Sequence, residues 1–148
     1  MKKYIASLSF VIFAGIVFAG QINFSRRVPP AVATVSASTT NTAKGSTVSF
    51  GDDLPGIVRL TARASSVTGA SGNVILRYEV FDGTNWDTAA QSSIYLTLAI
   101  TGVSTNQVGD FFNIPGGTKI RLGQIENGCT NVISNIDSQI TYSIPLSR

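Results

Sequence analysis

Histidine is absent from the sequence, and Cys129 is the only cysteine. Without histidine, the commonest general base, the Ser-His and Cys-His nucleophile pairs and most transition-metal sites are excluded. A single cysteine forms neither an intrachain disulfide nor a thiolate zinc site. We expect Cys129 to be a free thiol, partly buried near a loop, with an intermolecular disulfide as the alternative. These absences predict that the protein is not an enzyme and has no cofactor or metal.

Charged residues are also scarce, at 13% of the chain, about half of the usual share of roughly 25%. The formal net charge is +3, but Lys2 and Lys3 account for two of the eleven basic residues. Without them, nine basic and eight acidic residues remain, for a net charge of +1. Nucleic-acid binding needs a concentrated basic surface, and the arginines here are scattered along the chain. We therefore expect no nucleic-acid partner.

Helical periodicity is missing after residue 25, and alternation with a period of two replaces it. Val58, Leu60, Ala62 and Ala64 alternate with polar residues, as in a strand with one buried face. The same alternation predicts further inward-facing sets, namely Val74, Leu76, Tyr78 and Val80, then Ile94, Leu96, Leu98 and Ile100, and finally Ile140, Tyr142 and Ile144.

Turn signals such as "TGASG", "FDGTN" and "TGVSTN" recur every 8 to 15 residues. Seven to nine short antiparallel strands with this spacing predict an all-β fold, an antiparallel β-sandwich of jelly-roll or immunoglobulin-like topology. We assign this domain to residues 48–148. A second sheet is expected because a single sheet leaves one apolar face uncovered.

Residues 1–19 begin with two lysines and continue as an apolar run, which predicts an N-terminal hydrophobic helix. Val17 and Ala19 give the small-x-small pattern of a signal peptide cleaved before Gly20. The alternative is a retained transmembrane anchor, because the apolar stretch extends over residues 4–24 and is long enough to cross a bilayer. Residues 20–47 are rich in Ser, Thr and Pro and predict a linker, or an arm that pairs with a neighbouring subunit.

The stretch "FDGTNWDT" is the first candidate site. Asp82-Gly83 is a strong turn signal between two strands, one ending at Phe81 and one starting near Trp86. The alternative is a weak calcium site formed by Asp82, Asn85 and Asp87, which lacks the complete EF-hand spacing. The pair Asp52 and Asp53 in "GDDLPG" is likewise expected to be a turn.

Aromatic residues give the second candidate site. Trp86, Tyr95, Phe111 and Phe112 are candidate contacts for a glycan or a protein partner, because aromatic rings present large apolar faces. For Trp86 the alternative is a place in the core or at the sandwich edge. In a strand, one of the two adjacent phenylalanines must point away from the core, and its exposure would indicate a contact surface. We expect Glu79, near Arg59, Arg63 and Arg77 on the polar faces, to form cross-strand ion pairs.

The layout of residues 56–145 resembles a β-sandwich domain of bacteriophage virion and other surface proteins. Asp82–Trp86 match its hairpin, Gly117–Leu122 its later strand and Ile140–Tyr142 its last strand. The resemblance implies a structural or attachment role, with no catalytic residues to carry over. The N-terminal apolar segment departs from most such proteins.

The sequence therefore predicts a non-enzymatic, exported or membrane-anchored structural protein that assembles through surface contacts, as a subunit of a virion, filament or cell surface. Its expected partners are itself and other structural proteins, and its location is extracellular, periplasmic, at the cell surface or in a virion membrane. The alternative is a secreted carbohydrate-binding module that uses exposed aromatics.

Overall fold

The computed structural model describes residues 21–41, 44–50, 56–88, 92–114 and 117–145. These residues form an all-β fold, with seven strands in one antiparallel sheet and no helix within the described ranges. The strands are β1 Gln21–Arg27, β2 Thr39–Asn41, β3 Val48–Ser49, β4 Ile57–Phe81, β5 Tyr95–Asn113, β6 Lys119–Asn127 and β7 Ser134–Pro145. The predicted all-β class is confirmed, while the predicted N-terminal helix falls in residues 1–20, outside the described part.

The alternation read from the sequence matches the observed burial. Val58, Leu60, Ala62 and Ala64 are all buried on one face of β4. The predicted inward sets later in the chain are buried as well, except Ile94, which is partly buried, and Ile144, whose side chain lies outside the description. Because strand side chains alternate, each strand contributes one apolar face to a common core.

Strand β4 is the centre of the sheet and pairs with three neighbours. Its first part, residues 57–66, lies beside β7, which in turn pairs with β1. Its second part, residues 70–81, lies beside β6, which pairs with β2 and β3. Strand β5 follows β4 along both parts. We call the β1–β7 side the first layer and the β6 side the second layer, so that the β4–β5 hairpin belongs to both.

The β4–β5 hairpin changes layer at one irregularity. Pairing shifts between Ser66 and Ala70 in β4, where three residues lie opposite Val103 alone. Gly69 and Gly102 have φ values of 72° and 68°, a left-handed conformation that glycine adopts without strain. The expectation that "TGASG" and "TGVSTN" are turns between short strands is wrong, because both strands continue through a shared bend.

Side chains join the two layers across the core. Tyr78 in the second layer shares a hydrogen bond with Ser138 Oγ in the first layer, at 2.5 Å between the two oxygens. Phe50, after β3, packs edge-on against Tyr142 of β7 with ring centroids 5.2 Å apart. Burial raises the pKa of the Tyr78 hydroxyl far above its usual value. The sheet thus folds over on itself as a β-sandwich, with the bend as its fold line.

The segment expected as a linker or arm lies against this sandwich. Strand β1 pairs with β7 along its whole length, and the Val28 N–H donates to Ser138 O. Val28 and Val35 are buried in the core, which explains why the segment is held: both side chains remove apolar surface from water. Within residues 20–47, expected as a linker or an arm, residues 21–27 and 39–41 thus form strands of the chain's own sheet.

Asn127 anchors the same segment at the end of β6. Its side-chain nitrogen lies within 3.0 Å of the carbonyl oxygens of Val35, Ser36 and Asn131. Its side-chain oxygen accepts the N–H of Cys129 at 2.9 Å. Cys129 is a free thiol as expected, but fully buried rather than partly buried, and burial raises the pKa of its thiol.

Candidate functional site

The structure separates the four predicted contact aromatics. Trp86 and Tyr95 lie in or beside the second layer and contact arginines of its outward face. Phe111 is opposite Arg59 on β4 in the first layer, and it is exposed. Phe112 packs against the core between the layers. The adjacent phenylalanines therefore point to opposite faces, as the alternation required, and the four rings do not share one surface.

Trp86 belongs to a three-part stack on the second layer. The Arg121 guanidinium lies 3.8 Å from the centre of the Trp86 ring, a cation–π contact. Below it, Arg121 bonds Glu79 Oε2 at 2.6 and 2.7 Å through two of its nitrogens. Phe81 also contacts Trp86, with ring centroids 5.3 Å apart and the ring planes tilted by 41°. Trp86 thus faces the outer surface of the sheet and is only half-buried.

Glu79 is 3% exposed although it lies on the outward side of β4. Its side chain lies over Gly123, where an added Cβ would come within 2.5 Å of the Glu79 Cγ. Lys44 also approaches its carboxylate, at 3.8 Å. The predicted cross-strand ion pairing of Glu79 is confirmed by Arg121 of β6, an arginine outside the set expected from the sequence. Glycine at 123 leaves the room that this buried carboxylate occupies.

A second arginine of this face has a more exposed arrangement. Arg77 lies over the ring of Tyr95, 5.2 Å from its centre, and bonds Glu126 at 2.5 Å. The Arg77 and Glu126 side chains remain 24% and 29% exposed, so solvent screens their attraction. Tyr95 remains 47% exposed.

The "FDGTN" stretch forms the predicted turn. The Asp82 carboxylate accepts the N–H groups of Thr84 and Asn85, both at 2.7 Å, and Gly83 has a φ of 106°. The strand expected to start near Trp86 is replaced by a single bridge between Phe81 and Trp86. The next strand, β5, begins only at Tyr95.

The turn should weaken in acid. The N–H bonds from Asn85 and then Thr84 hold the pKa of Asp82 below its usual value. A lowered pKa in the folded state means that the contribution to stability is present at neutral pH and is lost as the pH falls through that pKa. Carboxyl NMR titration should therefore give a midpoint for Asp82 below that of an unfolded control peptide. Amide exchange at Thr84 and Asn85 should accelerate over the same pH range; a midpoint at or above the peptide's value contradicts this.

The calcium candidates Asp82, Asn85 and Asp87 lie around this turn, where two backbone N–H groups already bond one oxygen of Asp82. Within the part of the chain that the structure describes, no group of three or more His, Cys, Asp or Glu side chains is placed to hold a metal ion. Asp52 and Asp53 are outside that part. The calcium site stays a prediction from sequence.

The first layer carries a polar groove of about 330 Å³ on its outward face. Asp137 of β7 bonds both Arg27 of β1, at 2.9 Å, and Arg63 of β4, at 3.3 Å. Both arginines are more than half exposed, so each pair adds little stability. The carboxylate links three neighbouring strands across this face.

Exposed apolar side chains gather on one element that the sequence did not single out. Among the described residues, five of the six large hydrophobic residues with high exposure belong to the β4–β5 hairpin. They are Ile57, Val67, Tyr95, Val103 and Phe111. Val67 and Val103 lie at the bend, and Ile57 precedes Val58, the residue that pairs with Phe112. The sequence did not indicate that these five residues share one element, because its turn signals predicted short separate strands instead of one long hairpin.

No helix within the described residues is long and apolar enough to cross a membrane. The predicted signal or anchor, residues 1–19, lies outside them, while residues 21–24 of the longer apolar stretch belong to β1.

No family model matches the sequence, and no curated protein matches it. Among solved structures, infectious bursal disease virus, Gx strain, is similar at 16% identity and a TM-score of 0.42 over 87% of this chain. The VP2 subviral particle of that virus is similar at 15% identity and a TM-score of 0.44 over 84% of this chain. The chain spans about a third of those two proteins, 33% in each case. A family 16 carbohydrate-binding module gives 9% identity and a TM-score of 0.36, covering 77% of this chain and 74% of the module. The predicted resemblance to virion β-sandwich proteins thus has counterparts among solved structures.

Proposed function

We propose that the protein is a non-enzymatic structural subunit that associates with copies of itself through the β4–β5 hairpin. One observation carries this proposal: the hairpin holds five of the six strongly exposed large hydrophobic residues of the described chain. Val67 and Val103 lie together at the bend, and Ile57 and Phe111 lie close together near one end of the hairpin. Exposed apolar side chains that lie together in this way favour a contact surface.

The protein is further proposed to have jelly-roll topology and to be exported or anchored in a membrane. A jelly-roll form of the sandwich is supported by a hairpin that runs through both layers. Export or membrane anchoring is supported by the sequence of residues 1–19, and other structural proteins of the same surface are further partners. Carbohydrate binding has less support, because the four candidate aromatics are divided among separate faces.

The proposal predicts that charge on the hairpin weakens self-association. Ile57 is 64% exposed and Val67 64% exposed, so aspartate at either position is compatible with folding and introduces a carboxylate into the contact. Sedimentation velocity of the full chain over a range of concentrations should show at least a tenfold weaker association for Ile57→Asp and Val67→Asp. Thr34→Asp, an exposed change away from the hairpin, is the matched control and should associate as the wild type does.

Two results would count against the proposal. The first is a wild-type chain that stays monomeric at every concentration. The second is equal association of the hairpin variants and Thr34→Asp, which would place the contact elsewhere, for instance in the apolar residues 1–19.

A further inference from the structure

Strand β5 is a long edge strand with little protection. It pairs only with β4 among the described residues, over 19 residues from Tyr95 to Asn113. Edge strands are usually kept from pairing by shortness, proline or charged side chains, lysine above all. The other edges follow this rule, since β2 and β3 have three and two residues and β1 carries two arginines. Strand β5 has no lysine, arginine or proline, and Asp110 is its single charge.

The hydrogen bonds at the two ends of the hairpin show which backbone groups face this open edge. Tyr78 N donates to Ile94 O at 2.9 Å, and Ile114 N donates to Gly56 O at 2.6 Å. In an antiparallel pair, alternate residues bond the neighbouring strand and those between point away from it. Even-numbered residues of β5 therefore face β4, and odd-numbered residues present their N–H and C=O groups at the open edge. Both layers keep the same parity.

The exposed side chains of β5 are spaced symmetrically along that edge. Tyr95, Val103 and Phe111 are 47%, 73% and 66% exposed. All three have odd numbers, and each aromatic lies eight residues from Val103. Val103 is also the residue of β5 that lies opposite the bend in β4. The bend therefore divides β5 into two arms, each with an exposed aromatic residue eight positions from Val103.

We propose that β5 pairs antiparallel with β5 of a second copy, about a twofold axis at Val103. This inference rests on the self-association proposed above and specifies its geometry. Val103 then lies opposite its own counterpart, and Tyr95 of each copy lies opposite the other's Phe111. Because Val103 lies opposite the bend in each copy, this pairing places the two bends side by side. The sheet that the two copies form together then folds along one line. An isologous contact of this kind is closed and self-complementary.

Side-chain chemistry favours a second copy over another occupant. The pairing makes two aromatic cross-strand contacts, which stabilise antiparallel sheets. It also sets Thr101 opposite Thr105, a pair that can share a hydrogen bond across strands. Asp110 lies opposite Leu96 of the other copy, and the second Asp110 lies about 14 residues away along the strand, beyond the bend. The single charge of the strand is therefore not opposed by its own copy.

Cross-linking tests the axis. Directly opposite residues have Cα atoms about 5.5 Å apart in such a pair, within the range that a disulfide spans. Full-chain Val103→Cys should form a disulfide-linked dimer under mild oxidation. Ala99→Cys is the matched control: residue 99 is exposed on the same side of the strand, but in this register it lies opposite residue 107 of the second copy and not opposite its own counterpart. We expect at least tenfold more dimer from Val103→Cys. The wild type, whose Cys129 is buried, should form none.

Charge exchange tests the same contact without a covalent bond. Val103→Lys and Val103→Glu each place like charges opposite one another, so each variant alone should associate at least tenfold more weakly than the wild type. An equimolar mixture should recover association, because the mixed pair is oppositely charged. Val103 is exposed, so both variants should keep the melting temperature that the wild type has at concentrations low enough for it to be monomeric.

The outcomes separate the two proposals. Suppose that the wild type associates, that Val103→Lys and Val103→Glu associate as strongly as it does, and that Val103→Cys and Ala99→Cys cross-link equally. The β5 pairing is then wrong, while self-association stands. If the wild type is monomeric at all concentrations, both are wrong. Protection of the odd-numbered β5 amides in a monomer would show that another segment of the same chain covers this edge and would also overturn the pairing.

Discussion

Asn127→Asp should lower the free energy of unfolding by about 4 kcal/mol at neutral pH. The side-chain nitrogen of Asn127 lies within 3.0 Å of three carbonyl oxygens, and the residue is 2% exposed. The substitution replaces that donor with a carboxylate oxygen of nearly the same size. An acceptor then faces three acceptors, and a buried charge lacks the partner that its burial requires.

The loss of unfolding free energy in Asn127→Asp should grow as the pH rises. Because burial and the surrounding carbonyls oppose ionisation of the new carboxyl group, its pKa in the folded state should lie above the unfolded value. Stability is then highest at pH values below the unfolded pKa and falls as the pH rises through the folded pKa. Urea unfolding followed by the fluorescence of Trp86, the only tryptophan, measures this directly.

Asn127→Ala is the control, because it removes the same hydrogen bonds without adding charge. It should cost about 2 kcal/mol, with no comparable pH dependence. A cost for Asn127→Asp that is equal to or below that of Asn127→Ala would show that the three carbonyl oxygens do not converge on this side chain in solution.

Arg121→Met should lower the free energy of unfolding by about 3 kcal/mol. Removing the guanidinium takes the 2.6 Å ion pair from the Glu79 carboxylate, whose side chain is 4% exposed, and Lys44, at 3.8 Å, lies farther from that carboxylate. The substitution also removes the group on which Trp86 stacks. Urea unfolding should show the loss, and the emission of Trp86 should shift in the folded protein.

Arg77→Met is a matched control on the same face. Arg77 also bonds a glutamate and lies over an aromatic ring, but its ion pair is more exposed and should contribute less than about 1 kcal/mol. The double substitution Glu79→Met with Arg121→Met should recover part of the loss, because replacing both members of a buried pair is far less costly than removing one. Equal losses from Arg77→Met and Arg121→Met would contradict the burial argument.

The strand faces were predictable from sequence because alternation is a local property. Val58, Leu60 and Ala62 alternate with polar residues in the chain itself, and their burial in the sheet follows from that pattern. The turn at Asp82 was predictable for a similar reason, since the carboxylate bonds N–H groups only two and three residues away.

Long-range pairing was not predictable in the same way. Gly69 and Gly102 resemble turn residues, and only the partner strand shows that each lies within a continuous strand. The partner of Glu79 depends on the register between β4 and β6, which shifts by a bulge near Gly123. The open edge of β5 emerges only when the order of all the strands is known.

The pairing of β1 with β7 has a mechanical consequence. Gln21 lies opposite Pro145, and Arg27 lies opposite Gln139. The first residue of β1 is therefore beside the last residue of β7. A force that pulls residues 21 and 145 apart would open the pairs in succession, as in peeling, instead of loading all seven together. Tension applied between residue 21 and the β5 edge is instead transmitted crosswise through β7 and β4. The first layer is therefore easiest to open by traction on its two terminal strands.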